Sequence, residues 1–248
     1  MLYQRFLAGY SIADLASAAQ VSDESSIWHY SAQGYIVGQH IYRFPVTCPS
    51  SDYALTLIST NAPGSADLGV FPRQHRTRHE NFFNLRGRFQ LWTEKDGDEE
   101  TRVLIPGDYG AVPENTTHTF QILDPDTEIV GIISPGGFEV LFYALSTGNY
   151  ISPTVSPYDP SIKASPTATP DDVFNMVLEG FDVYTQNFMP RSDAVFGAAP
   201  VGSVWYTGSK SLAKDSTTPF FVAKDYRLQY LNNQTGNYKF IQPFVVSV

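Results

Sequence analysis

The chain has 248 residues, 42% hydrophobic and 14% aromatic, with 16 basic against 25 acidic side chains and a net charge of −9. That length and apolar share suit one large core or two modest ones and exclude a disordered chain. The negative charge repels phosphate backbones and anionic lipid, so neither nucleic acid nor a membrane surface is expected as a partner.

Residues 1–27 form an N-terminal segment that reads in two ways. Arg5, a short apolar stretch and the triplet Ala16-Ser17-Ala18 imitate a secretion signal. Asp14 interrupts that stretch, and Ile12, Leu15 and Ala16 suit a short amphipathic helix instead. No apolar run reaches the ~18–20 residues of a membrane-crossing helix. The single cysteine, Cys48, excludes an internal disulfide.

From residue 28 to 148 the pattern predicts an all-β barrel. IVGQHIYRF, YALTLIST, NFFNLRGRFQLW, TRVLI, THTFQIL and EIVGIIS are rich in β-branched and aromatic residues, and the strand reading runs on to Leu145. Turn residues separate them, among them Asn61-Ala62-Pro63-Gly64, Asp96-Gly97-Asp98 and Pro135-Gly136-Gly137. Their close spacing argues for an antiparallel sandwich or barrel.

Residues 149–170 are rich in Ser, Thr and Pro and read as an extended linker. Residues 171–248 then offer one helix and a few strands. Thr169 is the expected cap, Pro170 the first helical position, and Asp171 and Asp172 favour the positive end of the dipole. Val173, Phe174, Val177 and Leu178 are expected to form its apolar face. SVWYTG, PFFVAKD and YKFIQPFVVSV supply too few strands for an independent barrel, so they should lean on the first. Unpaired strands after Trp205 point to a homodimer. Asn115-Thr116-Thr117 and Asn233-Gln234-Thr235 are glycosylation sequons.

The chemistry concentrates in two short motifs. RQHRTRHENFFNLRG holds Arg73, His75, Glu80 and Gly87, and GDYGAVPENTTH holds Gly107, Pro113, Asn115 and His118. His75 and Glu80 are five apart, enough to turn a hairpin corner and share an inner face. Imidazoles and a carboxylate from two adjacent hairpins make a mixed N/O site suited to a transition metal. Arg73 shares the parity of His75 and is expected to point inward as well. By strand alternation His79 faces away from the cup. Arg76, Arg78, Arg86 and Arg88 read as solvated faces.

This pair of spacings resembles the two motifs of the cupin superfamily, with Arg73 in place of the first histidine and Asn115 in place of a turn glycine. From about Trp28 to Val248 the chain is similar to the N-terminal part of the fungal quercetin 2,3-dioxygenase family. That family continues further, to complete a second cupin. The resemblance implies a jelly-roll barrel, O2 and a flat aromatic substrate as partners, ring-cleaving dioxygenation with loss of CO, and secretion. It also implies a mononuclear metal on His75, Glu80 and His118: copper first, with iron, nickel or manganese as alternatives. Glu80 would take the proton of the substrate hydroxyl. The family's flavonol-contacting positions fall on Tyr42, Ile58, Thr60, Phe82 and Phe120.

The arginine leaves two readings open. Either the two-histidine, one-carboxylate triad still holds a metal, or Arg73 enters the cup, pairs with Glu80 and weakens metal binding. In the second case no cofactor is needed. Arg73 and Glu80 would then serve acid–base cyclisation, decarboxylation or isomerisation, or the barrel would only bind an aromatic ligand.

Overall fold

The computed structural model describes residues 33–150, 170–193, 217–223, 229–231 and 239–241. The linker composition at 151–169, the SVWYTG strand, the N-terminal segment and the second sequon lie outside them.

The jelly-roll expectation is met. Ten strands lie between Gly34 and Ser134: β1 (Gly34–Val37), β2 (His40–Val46), β3 (Thr56–Ala62), β4 (Arg73–Gln74), β5 (His79–Arg86), β6 (Phe89–Lys95), β7 (Asp98–Leu104), β8 (Tyr109–Val112), β9 (Thr117–Ile122) and β10 (Thr127–Ser134). They are followed by α1 (Glu139–Leu145), β11 (Gly148–Tyr150), α2 (Asp172–Glu179), β12 (Tyr184–Thr185) and β13 (Phe220–Val222). In a separate two-stranded sheet β14 (Gln229–Leu231) pairs antiparallel with β15 (Lys239–Ile241).

Two sheets face each other. One has the order β11-β1-β2-β3-β10-β5-β8-β13, the other β12-β4-β9-β6-β7. Phe82, Val112 and Ile129 from the first sheet meet Phe89, Leu91, Leu104, Phe120 and Ile122 from the second in one buried cluster. Each such side chain contributes roughly 1.5–3 kcal/mol on leaving water. A second cluster closes the other end of the barrel: Tyr42, Phe44, Ile58 and Ile133 pack against Phe138, Leu141, Leu178 and Val183.

Turn chemistry sets the registers. Asp96 and Gly97 both have positive φ (55° and 88°), the geometry of a two-residue hairpin that matches strand twist, and they fix Lys95 opposite Asp98. Gly87 turns β5 into β6 at φ 69°, where a Cβ would run into Thr127.

Several expectations are corrected. The strand reading up to Leu145 is broken by α1, which follows the Pro135-Gly136-Gly137 turn. Its Glu139 is buried and accepts hydrogen bonds from Thr56 and from the Cys48 and Gly137 amides. The first residues of the expected linker form β11, paired with β1. The cap of α2 is Asp171 rather than Thr169, accepting from the Phe174 amide at 2.8 Å. Its packed face is narrower than expected. Leu178 is buried and Phe174 partly so, while Val173 and Val177 are exposed. The reason is that α2 touches the barrel mouth through one turn only.

The arginine-rich edge is also more engaged than a solvated face. Arg88 forms a two-point pair with Asp124, Arg86 pairs with Asp126, and Arg78 pairs with Asp182 and donates to the Phe181 carbonyl. Arg76 lies over the Tyr184 ring, 3.6 Å from its centroid. Of the C-terminal strands, β12 pairs with β4 and β13 with β8, whereas β14 and β15 pair with each other.

Candidate metal and ligand site

The cup is assembled by three strand ends. β4 carries Arg73, β5 opens with His79 and Glu80, and β9 carries His118, directly opposite Arg73 in the β4–β9 pair. The turn between β4 and β5 holds His75. The second motif is joined to the first through Asn115. Its φ of 57° is the left-handed turn that its substitution for glycine requires, and its amide donates to the His75 carbonyl at 2.6 Å.

These elements bring His75, Glu80 and His118 together, with one ligand atom of each within 4.8 Å of the others. His118 Nε2 is 2.8 Å from Glu80 Oε2, and His75 Nε2 is 3.3 Å from the same oxygen. Arg73 points inward, as its parity with His75 predicts, and its Nη2 donates to Glu80 Oε2 at 3.0 Å. All four side chains are buried. His79 stays outside the cluster.

The other nitrogen of each imidazole is already committed. His75 Nδ1 lies 2.7 Å from the Asp182 carbonyl, and His118 Nδ1 lies 3.0 Å from that of Thr116. A carbonyl only accepts, so each Nδ1 carries the proton and each Nε2 presents a lone pair in the neutral ring. Burial, reinforced by the Arg73 charge, lowers the His118 pKa to about 4. Burial opposes charge on Glu80, but Arg73 and the contacts of His118 and His75 outweigh it and hold the carboxyl well below the usual carboxylate range. Two imidazole nitrogens and one carboxylate oxygen thus converge on one point, each imidazole aimed from behind by a carbonyl. That pattern fits a divalent transition ion.

Above the cluster opens a cavity of about 650 Å³. Tyr42, Ile58, Thr60, Phe82 and Phe120, the five positions that the family resemblance implies, all line it, together with Arg73 and Glu80. Phe82 and Phe120 cross edge to face at 5.9 Å.

Sequence reasoning missed other walls. His40 lines the cavity, shares a 2.9 Å hydrogen bond with the Tyr42 hydroxyl and lies 6.4 Å from the Phe120 ring at a near-parallel 24°. Burial lowers its pKa to about 4. Leu141 and Phe142 come from α1, and Leu178 from α2. Asp182 was missed as well. At φ 64° it accepts from the Arg76 and Thr77 amides and the Thr77 hydroxyl, and so clamps the turn that carries His75. Alternation along His40-Ile41-Tyr42 could have revealed His40. No local signal marks Asp182.

No family model matches the chain. A quercetin 2,3-dioxygenase of Aspergillus japonicus is 49% identical over 225 residues, 89% of this chain and 64% of its own length. The chain is a homologue of quercetin 2,3-dioxygenase. A second protein of that description, from Bacillus subtilis (strain 168), is 31% identical over 110 residues, 44% of this chain and 31% of its own length. The chain therefore spans less than two thirds of either relative. Among solved structures, an oxalate decarboxylase variant from B. subtilis superposes with a TM-score of 0.45 at 14% identity, over 85% of this chain and 52% of its own.

Proposed function

We propose that the chain is a quercetinase-like cupin that holds a transition metal on His75, Glu80 and His118 and promotes oxidation, with ring cleavage, of a flat phenolic ligand by O2. One observation carries this reading. Both imidazoles hold Nδ1 against a backbone carbonyl and turn Nε2 toward the same oxygen of Glu80. In the Nδ1–H tautomer both Nε2 lone pairs and the carboxylate face one point, and a cation there would be held by all three.

A copper, iron, nickel or manganese ion held by His75, Glu80 and His118 would supply Lewis acidity and redox chemistry toward O2. The chain's own residues do the rest. Aromatic and aliphatic walls exclude water and hold a planar ring system, and the cavity falls in the ~300–1,000 Å³ range of small-molecule sites. Glu80 accepts a hydrogen bond from a ligand hydroxyl. Its depressed pKa makes it a modest base, suited to a proton that is already acidic.

The ion pair between Arg73 and Glu80, at 3.0 Å, favours a second reading. Here the guanidinium serves in place of the metal, and acid–base chemistry or ligand binding replaces oxidation.

The two separate on one preparation. The purified chain is incubated with each of the four metals, passed through gel filtration and analysed for bound ion, then given quercetin under air while CO is measured. Metal that co-elutes and CO release support the first reading. Protein that binds quercetin, carries no ion and ignores chelators supports the second. Arg73→His adds a neutral donor and frees Glu80, so it should raise copper affinity at least tenfold if the triad is the metal site; unchanged affinity would count against that assignment.

A further inference from the structure

The guanidinium of Arg73 is only half used. Nη2 donates to Glu80, whereas Nη1 is buried and has no hydrogen-bond partner among the described residues. The side chain is 8% exposed. A buried donor of this kind is costly unless something accepts from it. Arg73 lines the cavity, and its Cζ lies 5.9 Å from the ring centroid of Phe120, one of the cavity walls. An acceptor for Nη1 can therefore come from whatever occupies that space.

Charge narrows the choice. A divalent ion on two neutral imidazoles and Glu80 leaves the centre at +1, and Arg73 makes it +2. The extra charge is buried, and among the described residues that line the cavity Arg73 and Glu80 alone are Asp, Glu, Lys or Arg. Burial keeps His40, the histidine that lines the cavity, neutral above about pH 4. Such a site favours a ligand with one more negative charge than a neutral phenol carries, and a guanidinium matches a carboxylate in both charge and geometry.

We propose that Arg73 is the ligand anchor of this cavity, and that the substrate class is an aromatic carboxylic acid, its planar ring lying against the wall that Phe82 and Phe120 form together and its carboxylate accepting from Nη1. The assignment rests on the metal reading for its charge balance, and on the unpartnered nitrogen for its place.

The test is calorimetric titration of the full chain, metal-loaded and metal-stripped, with 3-hydroxy-2-naphthoate and with its methyl ester. The loaded protein should bind the acid about tenfold or more tightly than the ester, the ratio expected of one charge-assisted hydrogen bond. Arg73→Gln should bring that ratio close to one. Should Arg73→Gln not fold, as judged by thermal melting, Arg73→Lys decides. It keeps the charge without the second amino group, and its ratio should fall several-fold below the parent's. Equal binding of acid and ester by the parent, or an unchanged ratio in these variants, overturns the assignment. Metal content of the same samples tests the other reading separately. Samples without ion sink the metal centre, yet an Arg73-dependent preference for the acid in those samples still supports the anchor.

Discussion

The two halves of the cup are oriented by different means. His118 is aimed from within its own motif, by the carbonyl of Thr116 two residues before it. His75 is aimed by the carbonyl of Asp182, 107 positions away, after the Ser/Thr/Pro-rich stretch. The second motif is thus a local device, complete once its turn forms. The first is a tertiary device, whose ligand geometry depends on a segment beyond the barrel. A jelly roll could form with His118 correctly placed and His75 still free to rotate.

The largest expected effect tests whether the halves act on one ion. His75→Ala and His118→Ala should each abolish metal retention through gel filtration, since either leaves two ligands. Retention in one variant only would mean that the halves do not share a site.

Next comes the contrast itself. Asp182→Ala removes the clamp on the 75–78 turn and strains a residue at φ 64°, without touching a ligand. Metal affinity should fall about 10–100-fold, as for other residues that orient ligands, and metal binding measured by competition with a chelator checks it. Thr116→Ala keeps the carbonyl and should leave affinity within about twofold of the parent. Equal losses would erase the distinction between local and tertiary orientation.

A third prediction uses pH on the metal-free protein. The folded pKa of His118, about 4, lies below its ordinary 6.5, so the unfolded chain takes up the proton first as pH falls. This contribution to stability is therefore full above pH 6.5 and is lost progressively toward pH 4, by up to about 1.4 kcal/mol per pH unit. Urea unfolding across that window should show the slope, and His118→Gln should flatten it by about one proton. Metal should suppress it, because the ion competes with the proton.

The smallest effect concerns the turn that joins the halves. Asn115→Gly should change stability by no more than about 0.5–1 kcal/mol, because both residues accept φ 57°. Asn115→Val should cost about 1–2 kcal/mol and weaken metal binding by shifting the amide that holds His75. Thermal melting beside metal titration separates the two effects.

Much of the site was legible because its spacing follows from strand arithmetic. Glu80 and Phe82 share a face, His118 and Phe120 share another, and alternation alone carries both pairs inward. Gly87 and Asn115 showed in the sequence because only certain residues tolerate a positive φ. Arg73 was readable by parity with His75. The helix α1 was not, because GGFEVLFYAL is apolar enough to pass for a strand, and its glycine-rich turn carries no helix cap. For α2, two of four apolar positions proved exposed. Hydrophobic periodicity marks a face that can pack, and the barrel offered it little surface to pack on.

By itself, the sequence determined the strands, their faces and the chemical types that could meet in the cup. These depend on neighbours along the chain, where backbone geometry is periodic and turn residues act locally. Only the tertiary structure decided that Arg73 spends one nitrogen on Glu80 and leaves the other unpartnered, and that Asp182 aims His75. Such pairings join positions up to 107 residues apart, and no periodicity records which distant backbone carbonyl a buried ring will find.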